Sequence, residues 1–406
     1  MPDQKEKAVG LALSRAFALV SWYAPEQKEP LTCSQGEEEE PELFPVPGQV
    51  GTLLFEEDEG SVSPDGHSGL KALTDFLEQL LLKVTPEGAF STLRVMVTLP
   101  TLRRGIENIL PEALMTLGIE RKNIYLQDYL SSFYYYTVNQ KKELWNGDVA
   151  LLEYEAPEMI GYVLHIDHSK TPALVTVEKA ASVAVREELF ADRSSEGKNK
   201  EKDRLLFELL KKVFERRNVV TSYLVGEYYD GSWAVRSFQY LCQHRHAFRG
   251  GNLYTKGACY AAMARAGMVR MPEMLFLGSH MIRENVGMNM RINGKEAYYP
   301  IVSAGVNWYE AHHECEMIPD SETSITLLTR PMTGGKEVQR VLRLTGFPER
   351  KNRATRIRLT VYFTSANCAV VEAEDMGFGG FYAPEDLHWK REIRFEDAEM
   401  EAEGEL

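Results

Sequence analysis

A few short stretches bring together residue types that can do chemistry. His244-Arg245-His246 offers two imidazoles that could begin a metal site. The stretch reads as a loop beside Arg249, with no carboxylate or cysteine at ligand spacing, so an ordinary surface loop explains it. His312-His313-Glu314-Cys315 is richer in ligand types. Adjacent histidines on a strand point to opposite faces, which makes a single metal awkward. Ser131-Ser132 precedes Phe133-Tyr134-Tyr135-Tyr136 and reads as helix packing rather than a nucleophile. No Ser, His and Asp arrangement and no phosphate-loop consensus is present. Arg350, Lys351, Arg353, Arg356 and Arg358 form a basic cluster. It is either the polar face of a strand and its loop, or a site for an acidic partner, including the chain's own Glu-rich segments. Asn307, Trp308 and Tyr309 are candidate anchors for a protein or peptide partner, because aromatic residues are favoured at interfaces. The competing reading makes Trp308 a core plug.

The chain around these residues has 406 amino acids, 44 % hydrophobic, with a formal charge of −14. That length predicts two or more domains, and that apolar fraction predicts real cores. The acidic balance argues against a general nucleic-acid binder, because neutralising phosphates needs Lys and Arg. Cys33, Cys242, Cys259, Cys315 and Cys368 are scattered with no Cys-x-x-Cys pair, which predicts reduced thiols and a cytoplasmic protein. The apolar stretch Ala8 to Trp22 is interrupted by Ser14 and Arg15. It is too short for a membrane span and lacks a small-residue cleavage site, so neither membrane association nor a signal peptide is expected.

The elements that must position the candidates follow from periodicity. Residues 8–23 read as two strands joined by a turn near Ser14. Leu73, Phe76, Leu77, Leu80 and Leu81 have helical spacing with one buried face. Leu93 to Leu99 is a strand, Thr101 to Leu117 a helix closed by Gly118, and Asp128 to Asn139 an aromatic-rich helix. Val149 to Tyr154 and Gly161 to Ile166 predict a hairpin around Ala156-Pro157. Arg193 to Asp203 reads as a polar linker, followed by a helix over Leu205 to Val213 and a strand over Thr221 to Val225. After about residue 283 the pattern becomes all-strand. Asn293-Gly294 predicts a type I′ hairpin turn. Thr355 to Phe363 alternates Arg356, Arg358, Thr360 and Tyr362 with Ile357, Leu359, Val361 and Phe363, as a half-buried antiparallel strand does. Glu396 to Glu405 reads as an acidic, disordered tail.

Several segments, in order, resemble the landmarks of the actin-like ATPase superfamily, its heat-shock-chaperone branch in particular. Val9-Gly10-Leu11-Ala12-Leu13-Ser14 sits where that family has its first phosphate loop. Ile124 to Tyr136 resembles the first connecting segment, and Asp148 to Ile160 occupies the place of the second phosphate loop. Ser222 to Gly231 resembles the adenosine loop, and Asn252 to Ala262 the second connecting helix. Pro272 to Gly278 looks like the chaperones' interdomain linker, and Leu342 to Gly379 like part of their β-sandwich peptide-binding domain. The chain also resembles an uncharacterised bacterial family that carries the same pair of units. The resemblance implies an α/β actin-like (ribonuclease H-like) two-lobed ATPase fold over 1–272, a linker over 273–280, an all-β sandwich over 281–393 and the acidic tail over 394–406.

The departures decide what function the resemblance implies. That family uses an aspartate in each phosphate loop to organise hydrated Mg²⁺ and water, and neighbouring glycines to let backbone N–H groups reach the phosphates. Here Ala12 stands at the first aspartate position and Ser14 at the following glycine. The second loop reads Glu153-Tyr154-Glu155-Ala156-Pro157, with extra carboxylates and a proline that deletes an N–H. If nucleotide binding is retained, ATP or ADP with Mg²⁺ would meet Gly10, Ser14, Arg15, Glu153, Gly226 and Glu227. Gly226-Glu227 also reads as an ordinary strand-to-helix turn. The implied function is a catalytically inactive, chaperone-like protein that binds a protein or peptide. The alternatives are a slow ATPase using Glu153 or Glu155, and a scaffold or filament subunit.

Overall fold

Two strands with the same connectivity logic open the chain and set its first lobe. In the computed structural model, which describes residues 6–35, 40–56, 66–155, 157–186, 194–226, 229, 233–319, 324–332, 334–347, 350 and 354–395, the chain divides into two units, 1–276 and 277–406. The first lobe of unit 1 begins with β1 (Lys7–Leu13), β2 (Phe17–Tyr23) and β3 (Leu31–Thr32). The two-residue strands β4 (Ser34–Gln35), β5 (Glu40–Pro41) and β6 (Phe44–Pro45) follow, then α1 (Gly48–Phe55) and α2 (Gly66–Leu82). It closes with β7 (Leu93–Leu99), α3 (Ile106–Thr116), β8 (Ile124–Asp128) and α4 (Tyr129–Val138). The sheet order is β3-β2-β1-β7-β8, antiparallel on the β2 side of β1 and parallel on the β7 side. Val9, Leu11 and Leu13 on one face and Ala8 and Ala12 on the other are buried, as a central strand covered on both faces requires.

The second lobe repeats the pattern. It runs β9 (Asp148–Glu155), β10 (Glu158–Asp167), β11 (Ala173–Ala184), α5 (Ser195–Phe214), β12 (Val219–Val225), α6 (Val235–Leu241), β13 (His246–Arg249), α7 (Leu253–Arg265) and β14 (Met274–Leu277). The sheet order is β13-β12-β9-β10-β11-β14, with β9 antiparallel to β10 and parallel to β12. Numbering in chain order the strands β1, β2, β3, β7 and β8 of the first sheet, and β9 to β13 of the second, gives the spatial order 3-2-1-4-5 in both. That duplication is the two-lobed actin-like, ribonuclease H-like architecture. Helix α4 lies between the sheets: Phe133 and Tyr136 both meet Tyr223 of β12 edge-on. Helix α7 packs against α4 and back onto β1 and β7 of the first sheet.

Two local expectations are corrected. Residues 195–203 belong to α5 rather than to a linker. Ser194 caps the helix through Gly197 N–H, Lys200 pairs with Glu196, and Arg204 pairs with Glu201 and Glu208, contacts that support a polar solvent-facing helix. Residues 274–277, within the stretch read as an interdomain linker, form β14 at the edge of the second sheet.

Unit 2 consists of two four-stranded antiparallel sheets. The first contains β15 (Glu284–Ile292), β16 (Lys295–Val302), β18 (Ser324–Pro331) and β19 (Val338–Arg343) in the order β16-β15-β18-β19. The second contains β17 (His312–Met317), β20 (Ile357–Ser365), β21 (Cys368–Asp375) and β22 (His388–Arg394) in the order β17-β20-β21-β22. Asn293 and Gly294 adopt φ values of 51° and 80° at the β15–β16 turn, as a type I′ hairpin needs. Ile357, Leu359, Val361 and Phe363 face a core shared with Val286, Ile325 and Trp389. No helix among the described residues is long and apolar enough to cross a membrane. The expected acidic tail, beyond residue 395, lies outside the described residues.

Candidate functional site

In this architecture the turns β1–β2 and β9–β10 are the places where phosphates would be gripped. The first turn is closed on itself. Ser14 N–H donates to Phe17 O at 2.9 Å and Ser14 Oγ donates to the same carbonyl at 2.8 Å. Ser14 Oγ in turn accepts from Ala16 N–H at 3.3 Å and Phe17 N–H at 3.0 Å. Three N–H groups of the turn, those of Ser14, Ala16 and Phe17, are therefore already bonded. Arg15 turns away, and its exposed guanidinium pairs with Glu56. Ala12 is buried and supplies no oxygen donor for a metal.

Gly10 is explained by packing. A Cβ there would lie 2.3 Å from Thr255 O and 2.4 Å from Cys259 N, so the absence of a side chain lets α7 lie directly on β1. Gly257 plays the same part on the other face of α7, where a Cβ would meet Ser132 O at 2.0 Å. Thr255 Oγ1 secures the contact by donating to Gly10 O at 3.0 Å. Ser132 belongs to a buried chain in which Gln127 donates to Ser132 Oγ and Ser132 Oγ to Thr98.

The middle of the site is filled by aromatic and acidic side chains. Tyr254 of α7 donates to Glu153 Oε1 of β9 at 2.6 Å. Its ring stacks on Tyr129, with centroids 4.0 Å apart and planes 14° from parallel. Tyr129 donates to Leu13 O, at the end of β1, at 2.9 Å. These contacts form a continuous strut from the second sheet to the first. Burial raises the Glu153 pKa; the Tyr254 hydrogen bond opposes that shift and the Glu155 charge adds to it. Burial, then the Glu153 charge, raises the Tyr254 and Tyr129 pKa values. Burial and the same carboxylate push Tyr162 up to about 12. Phenols shifted upward are poor bases and poor nucleophiles, so the cluster suits structural support better than proton transfer.

The place of the adenosine loop is also occupied. Gly226 has φ 121°, and a Cβ there would lie 2.1 Å from Tyr154 O. Beyond it Tyr229 packs edge-on against Tyr154 and stacks on Trp233. Glu227 lies outside the described residues. The structure thus gathers Ser14, Arg15 and Glu153 around the two turns, with Gly10 beneath them and Gly226 against Tyr154. Among the described residues it gives them no shared cradle of free N–H groups and carboxylates. The residues that the sequence reading missed are Tyr129 and Tyr254. The one signal available was an aromatic side chain at the start of each connecting helix.

The remaining candidates have structural employment. Arg350 makes two 2.8 Å bonds to Asp375, with both side chains almost fully buried. Arg356 pairs with Glu316, and Arg358 with Glu314, Glu316 and Glu374, all on adjacent strands. Lys351 and Arg353 lie outside the described residues. His313 meets Tyr299 Oη at 3.2 Å, joining edge strands β17 and β16. No group of three or more His, Cys, Asp or Glu suited to a metal occurs among the described residues.

Of the two readings of Trp308, its packing agrees with the core plug: it is 7 % exposed and sits in the unit 2 core, edge-on to Tyr309, while Asn307 is also buried. A groove of about 960 Å³ opens elsewhere in unit 2, lined by Met290, Met317 and Ile318 together with the charged Arg291, Glu316 and Arg356. None of Asn307, Trp308 and Tyr309 lines it.

Solved structures show the same fold at low similarity. ROK hexokinase from Thermus thermophilus is 14 % identical, with a TM-score of 0.37, over 64 % of this chain and 99 % of that one. A Bacteroides thetaiotaomicron protein with an actin-like ATPase fold and unknown function is 11 % identical, TM-score 0.34, over 65 % and 99 %. A non-polymerisable quadruple mutant of pCBH ParM is 9 % identical, TM-score 0.36, over 64 % and 99 %. The two 3-2-1-4-5 sheets, rather than these modest overlaps, carry the fold assignment. No curated protein matches the sequence. Residues 281–395 match a domain of unknown function, DUF8552. Residues 53–279, more than half of the chain, match the C-terminal model of a family of unknown function, DUF5716, and the chain belongs to that family.

Proposed function

We propose that this chain is an actin-fold protein that does not hydrolyse ATP and acts, in the manner of a chaperone, by holding a protein or peptide segment. The observation that carries this reading is the Tyr254–Glu153 hydrogen bond with Tyr129 stacked upon it, where a nucleotide would place its phosphates. A buried carboxylate opposes a phosphate, and Ala12 offers no metal-ordering oxygen. Electrostatic and metal stabilisation are each commonly worth several kcal/mol in the transition state, so their loss leaves little basis for turnover. Calorimetry with ATP and with ADP, with and without Mg²⁺, should give no binding heat, and phosphate release should stay at background. A steady turnover that disappears in Glu153→Gln would overturn this reading and favour a slow ATPase.

The holding site in this reading is the methionine-lined groove of unit 2. Methionine side chains adapt to varied apolar partners, and an extended segment can add main-chain hydrogen bonds at a sheet edge. Ile318, half exposed on its wall, supplies the test. Ile318→Asp should weaken capture of extended apolar peptides by the full chain while leaving its melting temperature nearly unchanged. Equal capture by both proteins would remove the groove from the proposal.

A further inference from the structure

One face of the second lobe carries a ladder of cations and rings. Arg236 lies over Phe207, with its guanidinium carbon 3.8 Å from the ring centroid, and Lys211 Nζ lies 4.8 Å from the same centroid. Phe207 meets Tyr240 at 5.2 Å, and Tyr240 meets Phe214 at 5.9 Å. Arg245 covers Phe214 at 4.4 Å and reaches Tyr240 at 5.6 Å. The ladder is built by α5, α6 and the loop before β13, so it is fixed on regular structure.

Arg245 also donates to the backbone carbonyls of Tyr240 and Gln243, at 3.4 and 3.2 Å. Among the described residues no carboxylate lies within ion-pair distance of Arg236, Lys211 or Arg245. Asp203 has its oxygens taken by the N–H groups of Arg236 and Ser237 at the start of α6. Glu208 is paired with Arg204. The contrast is with unit 2, where Arg350, Arg356 and Arg358 each hold a carboxylate. In a chain of net charge −14, cations concentrated on one face with no carboxylate at ion-pair distance among the described residues mark a place where an acidic group is favoured.

We propose that this ladder is a docking surface for a glutamate-rich peptide segment of a partner protein. The cations are held in place on the rings by cation–π contact, which lowers the entropy lost when a carboxylate arrives. A nucleic acid fits less well. The ring faces that bases would stack on are covered by the cations, and the strongly negative remainder of the chain repels a long polyanion.

The test uses the full chain and a fluorescein-labelled decapeptide of alternating Glu and Ala, followed by anisotropy. Binding is expected at 50 mM salt and should weaken at least tenfold at 500 mM, because exposed charges are screened over a shorter distance. The double variant Lys211→Glu, Arg236→Glu changes two exposed side chains; it should keep its circular dichroism spectrum and lose binding. Reversal of the exposed pair Arg121→Glu, Lys122→Glu, on the first lobe, should leave binding intact. No binding by the unaltered chain overturns the proposal, as does undiminished binding by the Lys211, Arg236 variant. Tighter binding of a single-stranded DNA oligomer carrying the same number of charges also overturns it, by reassigning the surface to nucleic acid.

Discussion

Tyr254 of the last helix in unit 1 and Glu153 of the central strand of the second sheet share a 2.6 Å hydrogen bond, although 101 residues separate them. The bond satisfies a partly buried carboxylate. Tyr254→Phe should therefore destabilise unit 1 by about 1.5–3 kcal/mol, the usual worth of a hydrogen bond to a charged group. Urea denaturation followed by tyrosine and tryptophan fluorescence measures it. A change under about 0.5 kcal/mol, the scatter of ordinary surface substitutions, would show that the strut carries no load.

The same carboxylate gives unit 1 a pH signature. Burial raises the folded-state pKa of Glu153 above its unfolded value. Its contribution to stability is thus fully present below the ordinary carboxylate range and is lost as pH rises through the raised value. Glu153→Gln should flatten that decline, most clearly above the ordinary glutamate pKa. Parallel stability-versus-pH curves for the two proteins would contradict it.

Unit 2 should respond to pH in the opposite sense. Burial pushes the Asp375 carboxyl up, but the Arg350 guanidinium and the N–H groups of Glu385 and Gly377 outweigh it and hold the pKa below the usual range. Stability from Asp375 is therefore present above its unfolded pKa and is lost as pH falls through the lowered folded value. Arg350→Ala leaves a buried carboxylate unpaired and should cost about 3–5 kcal/mol. The loss should be largest near neutral pH and shrink in acid.

Gly10→Ala tests the close approach of α7 to β1. The added methyl would have to displace the backbone of the helix, because both nearest atoms are main-chain. The expected loss is about 1–3 kcal/mol or more, the range for overpacking a tight core. A melting temperature within a degree of the unaltered protein would mean that the helix can shift freely.

Trp308→Ala separates the two roles open to that residue. As a core side chain it should lose about 3–5 kcal/mol, with m-value unchanged. A retained melting temperature together with weakened peptide capture would return Trp308 to the partner surface.

Much of this fold could be read from local sequence. The β15–β16 turn is announced by Asn293-Gly294, whose positive φ values few other pairs accept. Alternation along β20 fixed which side chains face the unit 2 core. The first turns of α5 were illegible because their ten polar residues lack an apolar period, and the i,i+4 ion pairs that support them resemble a solvated linker. Strand β14 was illegible for another reason: its pairing with a distant sheet edge is not encoded in its own composition. The strut was hidden most completely. Tyr129, Glu153 and Tyr254 are ordinary residues in separate elements, and only the packing of α4 and α7 between two sheets brings them together.

The slot at Gly10 bears on how such proteins should be recognised. A glycine kept because a helix backbone presses against it looks, in sequence, the same as a glycine kept because a phosphate does. Steric demand from α7 would preserve Gly10 long after any nucleotide had ceased to visit. The glycine is therefore a witness to architecture alone. Testimony about ligands has to come from the turn beyond it, where Ser14 Oγ has already bonded the N–H groups of Ala16 and Phe17.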